Sequence, residues 1–160
     1  MKKLFIFILI LLTYSCSDNT HEVIDKQKNA DLATIEEVIH HNINWALDKD
    51  LDLLYSTVKN DSTFLTINPD DSNIDGFSEL EQTANSFWMD SRFKATHSEI
   101  KNLRIILSEA GNVAWFFCLL DDFGEWDEHA YKWENARWTG VLEKINGKWL
   151  IRQMHISFPK

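Results

Sequence analysis

The sequence is short of cysteine, of basic charge and of long apolar runs. Cys16 and Cys118 are its two cysteines, so one intrachain disulfide is the maximum, and none forms if Cys16 is modified. A domain without a disulfide is held by its core. Lys and Arg number 16 against 25 Asp and Glu, a formal charge of −9. That balance repels phosphate backbones and anionic lipid surfaces, which argues against nucleic-acid binding and against electrostatic attachment to a membrane. There is no internal repeat and no low-complexity segment. The longest continuous apolar run, Leu4 to Leu12, is too short to span a bilayer. What remains is a 160-residue chain, 44% hydrophobic with seven Trp, as expected for one domain with a packed core.

The N-terminus carries an address. Met1-Lys2-Lys3 is a positive lead, the apolar run follows, and Thr13-Tyr14-Ser15-Cys16 closes it. This resembles a bacterial lipoprotein signal, with Thr13 where Leu is usual. The resemblance implies cleavage before Cys16, acylation of its thiol, and residence in the cell envelope, membrane-anchored through the lipid alone, periplasmic or surface-exposed. The alternative is an ordinary secretory signal with an incidental Cys16. Loss of residues 1–15 removes Lys2 and Lys3, leaving 14 basic and 25 acidic residues, a charge of −11. The organisation read from the sequence is a signal over 1–15, a polar flexible tether over 16–29, and a domain over 30–160.

Helices come first. Asp31 to Asp48 places Ile35, Val38, Ile39, Asn42, Trp45 and Ala46 on one stripe, with Asp31 or Thr34 as cap. Asp50 to Val58 is a second short helix and Phe77 to Met89 a third. His40 and His41 are adjacent, so they point about a hundred degrees apart and cannot chelate one metal. Ser62 to Ile67 is a short strand and Phe93 to Leu107 a long bent one. Val113 to Leu120, continuously apolar, reads as a central strand covered on both faces. Asp121 to Glu128 reads as an acidic loop, and it lacks the spacing of a calcium-binding loop. Tyr131 to Lys144 and Trp149 to Phe158 are strands around Asn146-Gly147, a strong hairpin signal because both residues tolerate positive φ.

Arg137-Trp-Thr139, Val141-Leu-Glu-Lys144, Asn146-Gly-Lys-Trp149 and Met154-His-Ile-Ser157 resemble, in that order and spacing, the closing hairpin of the nuclear-transport-factor-2-like superfamily. The SnoaL-like branch and the calcium/calmodulin-dependent kinase association domain are its nearest variants. Trp45 to Leu54, Gly76-Phe77, Phe87-Trp88 and His97 fit the same order upstream. The resemblance implies an α+β fold, a cone-shaped curved antiparallel sheet packed against three N-terminal helices, whose open sheet face pairs in a homodimer.

Alternation along the strands separates two candidate linings but not which faces the cavity. Similarity to the kinase association domain favours the Phe117 and Ile156 set. The arginines with which that domain holds carboxylates have no counterpart here, since Phe117, Gly140 and Ile156 stand in their places. The wall is then Trp115, Phe117, Trp138, Met154 and Ile156 with Arg152 as the lone polar member, suited to a flat apolar small molecule with one acceptor group. The same side chains could equally fill the cone as core. Related enzymes use a buried Asp or a His–Asp pair as base. His155 is the candidate base, with His97 second and Asp121 at the rim. Arg137 is either a site residue or the partner of Glu134 or Glu143. Cys118 is read as a buried small hydrophobe.

Three functions fit. The first is a lipid-anchored, non-catalytic domain binding a small apolar ligand. The second is a cyclase or isomerase with His155 as general base. The third is a dimeric interaction module with a filled cavity. No cofactor and no metal are expected, and no nucleic acid.

Overall fold

A computed structural model describes residues 16–70 and 72–159, with side chains from residue 22; the expected signal segment lies outside the described residues. Helix α1 runs Cys16–Asp48 and α2 Leu51–Thr57. Strands β1 (Leu65–Ile67) and β2 (Ile74–Asp75) follow, then α3 (Phe77–Thr83), which passes into a π-helical turn over Ala84–Trp88. Four strands complete the chain: β3 (Phe93–Leu107), β4 (Val113–Trp126), β5 (His129–Ile145) and β6 (Lys148–Ser157). No described helix is long and apolar enough to cross a membrane.

The expected flexible stretch after Cys16 is helical instead. Residues 17–47 contain neither Gly nor Pro, so nothing interrupts the hydrogen-bond ladder once the packed half has nucleated it. Residues 22–30 are exposed, and contact with the core begins at Asp31 and Ile35. Asp31 does not cap the helix. It sits mid-helix, 7% exposed, and accepts bonds from Lys144 Nζ at 2.6 Å and Trp149 Nε1 at 3.0 Å. Burial opposes its ionisation, yet the bonds from Lys144, Trp149 and Gln27 outweigh that and hold its carboxyl below the usual range. This pair ties α1 to the closing hairpin. Asp50 caps α2, accepting from Leu53 N at 2.9 Å.

The six strands form one curved, unclosed sheet in the order β2-β1-β6-β5-β4-β3. It is mixed rather than wholly antiparallel, because β1 lies parallel to β6, with Thr66 beside Met154. Bulges curl the sheet: two on β3, where Asn102 takes φ +55°, one on β5 at Asn135 (φ +53°), and one on β6 at Arg152. The hairpin turn Asn146-Gly147 has φ +50° and +81°, the conformation a two-residue loop demands.

The expected acidic loop is a second hairpin. Strand β4 continues to Trp126, the turn is Asp127-Glu128 (φ +51° and +66°), and Trp126 pairs with His129. The inner face carries Phe116, Cys118, Leu120, Trp138, Leu142, Trp149 and Ile151 against Ile35, Ile39, Trp45 and Leu54. The outer face of β4 is not covered: Trp115 is 44% and Phe117 38% exposed.

Candidate functional site

The helices do not fill the concave side of the sheet. A cavity of about 780 Å³ remains between them, large enough for a multi-ring ligand. Helix α1 supplies Asn42, Ile43, Trp45 and Ala46. The π-helical turn, in which Met89 N bonds to Ala84 O at 2.9 Å, supplies Phe87 and Trp88. The strands supply Thr66, Phe93, Asp122, Trp126, Tyr131, Trp133, Trp138, Met154 and Ile156. Five of the seven tryptophans line this one space. Phe87 stacks on Trp126 at 4.4 Å between centroids, and Trp45 meets Trp88 edge-on at 5.4 Å.

Polar side chains also border the cavity, among them Asn42, Thr66, Asn68, Asn73, Thr83 and Asp122. Among the described residues, Thr66 Oγ1 and Trp138 Nε1 are buried and have no hydrogen-bond partner. Such donors are costly to leave unmade. Asp122 projects from β4 directly across from Trp133. Burial pushes its carboxyl up to about 6, an effect that His97 nearby offsets only in part. Among the described residues no group donates a hydrogen bond to that carboxyl. Burial and the charge of Asp122 together raise the Tyr131 phenol. A half-buried carboxylate near neutrality in an aromatic cavity can accept a proton or hold a positive charge.

The residues expected in the wall divide. Trp138, Met154 and Ile156 line the cavity. Trp115 and Phe117 do not: alternation on β4 turns Phe116, Cys118 and Leu120 inward and these two outward. They line a shallower hollow of about 350 Å³ on the outer face with Arg104, Ile106, Val141 and Gln153. Arg152 is the extra residue of the β6 bulge. It turns away from the cavity toward Glu143 at 3.4 Å and Asp61 at 3.9 Å.

His155 is across from Thr139 on the outer face and does not border the cavity. The same bulge that displaces Arg152 leaves Met154 and Ile156 inside and His155 outside. His97, half exposed, faces Glu99 at 3.9 Å and stacks beside Phe123. Asp121 is fixed outside the cavity, accepting from Lys101 Nζ and Asn135 N, each at 2.7 Å. Arg137 is exposed and Glu143 pairs with Arg152 instead. Burial pushes the Cys118 thiol up to about 12, so it packs as an inert small hydrophobe. No cluster of three metal-ligating side chains occurs among the described residues.

Asp122 was absent from the sequence-derived candidates. It continues the inward set Phe116, Cys118 and Leu120 at the same two-residue step, and only its assignment to a loop hid it.

The fold matches known structures. A nuclear transport factor 2-like superfamily protein from Salmonella enterica is 20% identical, with a TM-score of 0.71 over 82% of this chain and 93% of that one. One from Cytophaga hutchinsonii is 13% identical, with a TM-score of 0.63 over 78% and 95%. The association domain of calcium/calmodulin-dependent kinase II from C. elegans is 16% identical, with a TM-score of 0.60 over 82% and 98%. No curated protein matches the sequence. The model of the SnoaL-like domain matches residues 35–160, from the first buried residue of the α1 stripe to the C-terminus, and the chain belongs to that family.

Proposed function

We propose that this SnoaL-like domain binds a small, mostly apolar ligand in its cone cavity while held at the cell envelope through a lipid on Cys16. The observation that carries the reading is a cavity of about 780 Å³ walled by five tryptophans, with the Asp122 carboxyl among its polar members. The volume favours an occupant over a cone filled by side chains. The positive lead, the apolar run and Cys16 favour the anchor. The outer-face hollow around Trp115 and Phe117 favours a second copy as partner, as does the likeness to an association domain.

A second reading is an enzyme of the cyclase or isomerase type. Asp122 favours it as base in place of His155, since Asp122 borders the cavity and His155 does not. Native mass spectrometry of the full chain released from membranes tests the binding reading. A bound small-molecule mass is expected, reduced or absent after Trp138→Phe. Apo protein from every source, with unchanged mass on exposure to ligand mixtures, would count against it. Turnover that is lost in Asp122→Asn and kept in His155→Ala would select the enzyme reading. Cys16→Ser is expected to move the protein from the membrane to the soluble fraction.

A further inference from the structure

The cavity wall has one sign of charge. Asp70, Glu79 and Asp122 border it, and among the described residues no Lys, Arg or His does. Two of the three carboxylates are already engaged. Asp70 accepts from Ser72 N at 3.0 Å, and Glu79 from Asp75 N at 2.7 Å. Asp122 has neither a hydrogen bond nor a cation beside it within the cavity. An ionised carboxylate left so is costly, and an entering positive charge relieves that cost.

Its surroundings suit such a charge. Asp122 is across from Trp133, and on the same face Gly124 and Trp126 follow it, with Tyr131 across from Gly124. Electron-rich ring faces attract alkylammonium groups, most strongly where water is excluded. A cation already occupies a ring at the edge of this array, where the Arg92 guanidinium lies 4.6 Å from the centroid of Trp126. Arg92 is paired with Asp90 and does not border the cavity.

We infer that the cavity selects an organic cation, an ammonium-bearing apolar ligand whose nitrogen lies against Asp122 and the rings of Tyr131 and Trp133. This rests on the ligand-binding reading above and names the class of ligand.

The test uses two probes of one shape, 3-hydroxyphenyltrimethylammonium and 3-tert-butylphenol, which differ by a charged nitrogen for a carbon. Each is titrated calorimetrically into the full chain in lipid nanodiscs, with empty nanodiscs as blank. The cation is expected to bind at least about tenfold tighter, a preference that a single desolvated charge partner supports. Asp122→Asn is expected to abolish the preference and leave the phenol's affinity unchanged. Asp52→Asn, the same charge change on an exposed helix position, is expected to keep it. Equal or tighter binding of the phenol to the wild-type chain overturns the cation inference and leaves the cavity reading standing. So does a preference that survives Asp122→Asn or vanishes in Asp52→Asn. Failure of both probes to bind overturns the two together.

Discussion

Asp122 and Trp133 face each other across the β4–β5 ladder on the cavity wall, a carboxyl against an indole with no donor between them. The carboxyl titrates near 6 when folded and near 3.8 when unfolded, so between those values the folded chain holds the extra proton. Stability therefore falls as pH rises through that window, and the whole penalty is present above it. Asp122→Asn removes the penalty. It is expected to raise stability by roughly 1–3 kcal/mol at neutral pH and by little near pH 4. Denaturant midpoints at the two pH values check this, and a lower midpoint at neutral pH would refute it.

The Asp31 carboxylate behaves oppositely. Its folded titration lies below 3.8, so its contribution is complete above that value and is lost as pH falls through the folded one. Asp31→Ala strands the Lys144 ammonium and the Trp149 indole N–H in a partly buried place. The expected cost is about 2–4 kcal/mol, read from chemical denaturation. A loss under about 0.5 kcal/mol, typical of an exposed pair, would show that the contact is not formed in solution.

Gly140 is needed for packing. A Cβ there would lie 2.5 Å from the Phe116 ring and 2.9 Å from the Gln153 carbonyl. Gly140→Ala is expected to destabilise by about 1–3 kcal/mol in thermal or denaturant unfolding. An arginine, which the kinase association domain resemblance would put here, does not fit this backbone. An unchanged melting temperature in the alanine variant would contradict the packing.

Trp115→Asp with Phe117→Asp should turn a dimer into a monomer with little change in folding, because both side chains are exposed on the outer face. Sedimentation velocity on the two proteins decides. A wild-type chain that sediments as a monomer at high concentration would remove that face as an interface.

The fold was legible because its signals are local. The α1 stripe, the bent Phe93–Leu107 strand and the Asn146-Gly147 turn each follow from neighbouring residues. The site was less legible because it depends on features outside any window. Which face of β4 turns inward is set by the burial of Phe116, Cys118 and Leu120 in the core that α1 also joins. The β6 bulge at Arg152 resets the alternation for Met154, His155 and Ile156. Asp122 was missed because an acidic run reads as solvated loop, whereas Asp121 and Asp122 point to opposite sides of one strand. The helix before Asp31 is hidden because polar composition suits a flexible tether as well, though no residue in it breaks a helix.

The crowding of indoles into one hollow gives the chain a built-in optical reporter. Five emitters share that space, and of the other two, Trp149 is locked to Asp31 and Trp115 faces outward. Whatever enters should quench or blue-shift most of the ultraviolet glow of the protein at once. Unlabelled material can therefore announce its own cargo in a cuvette.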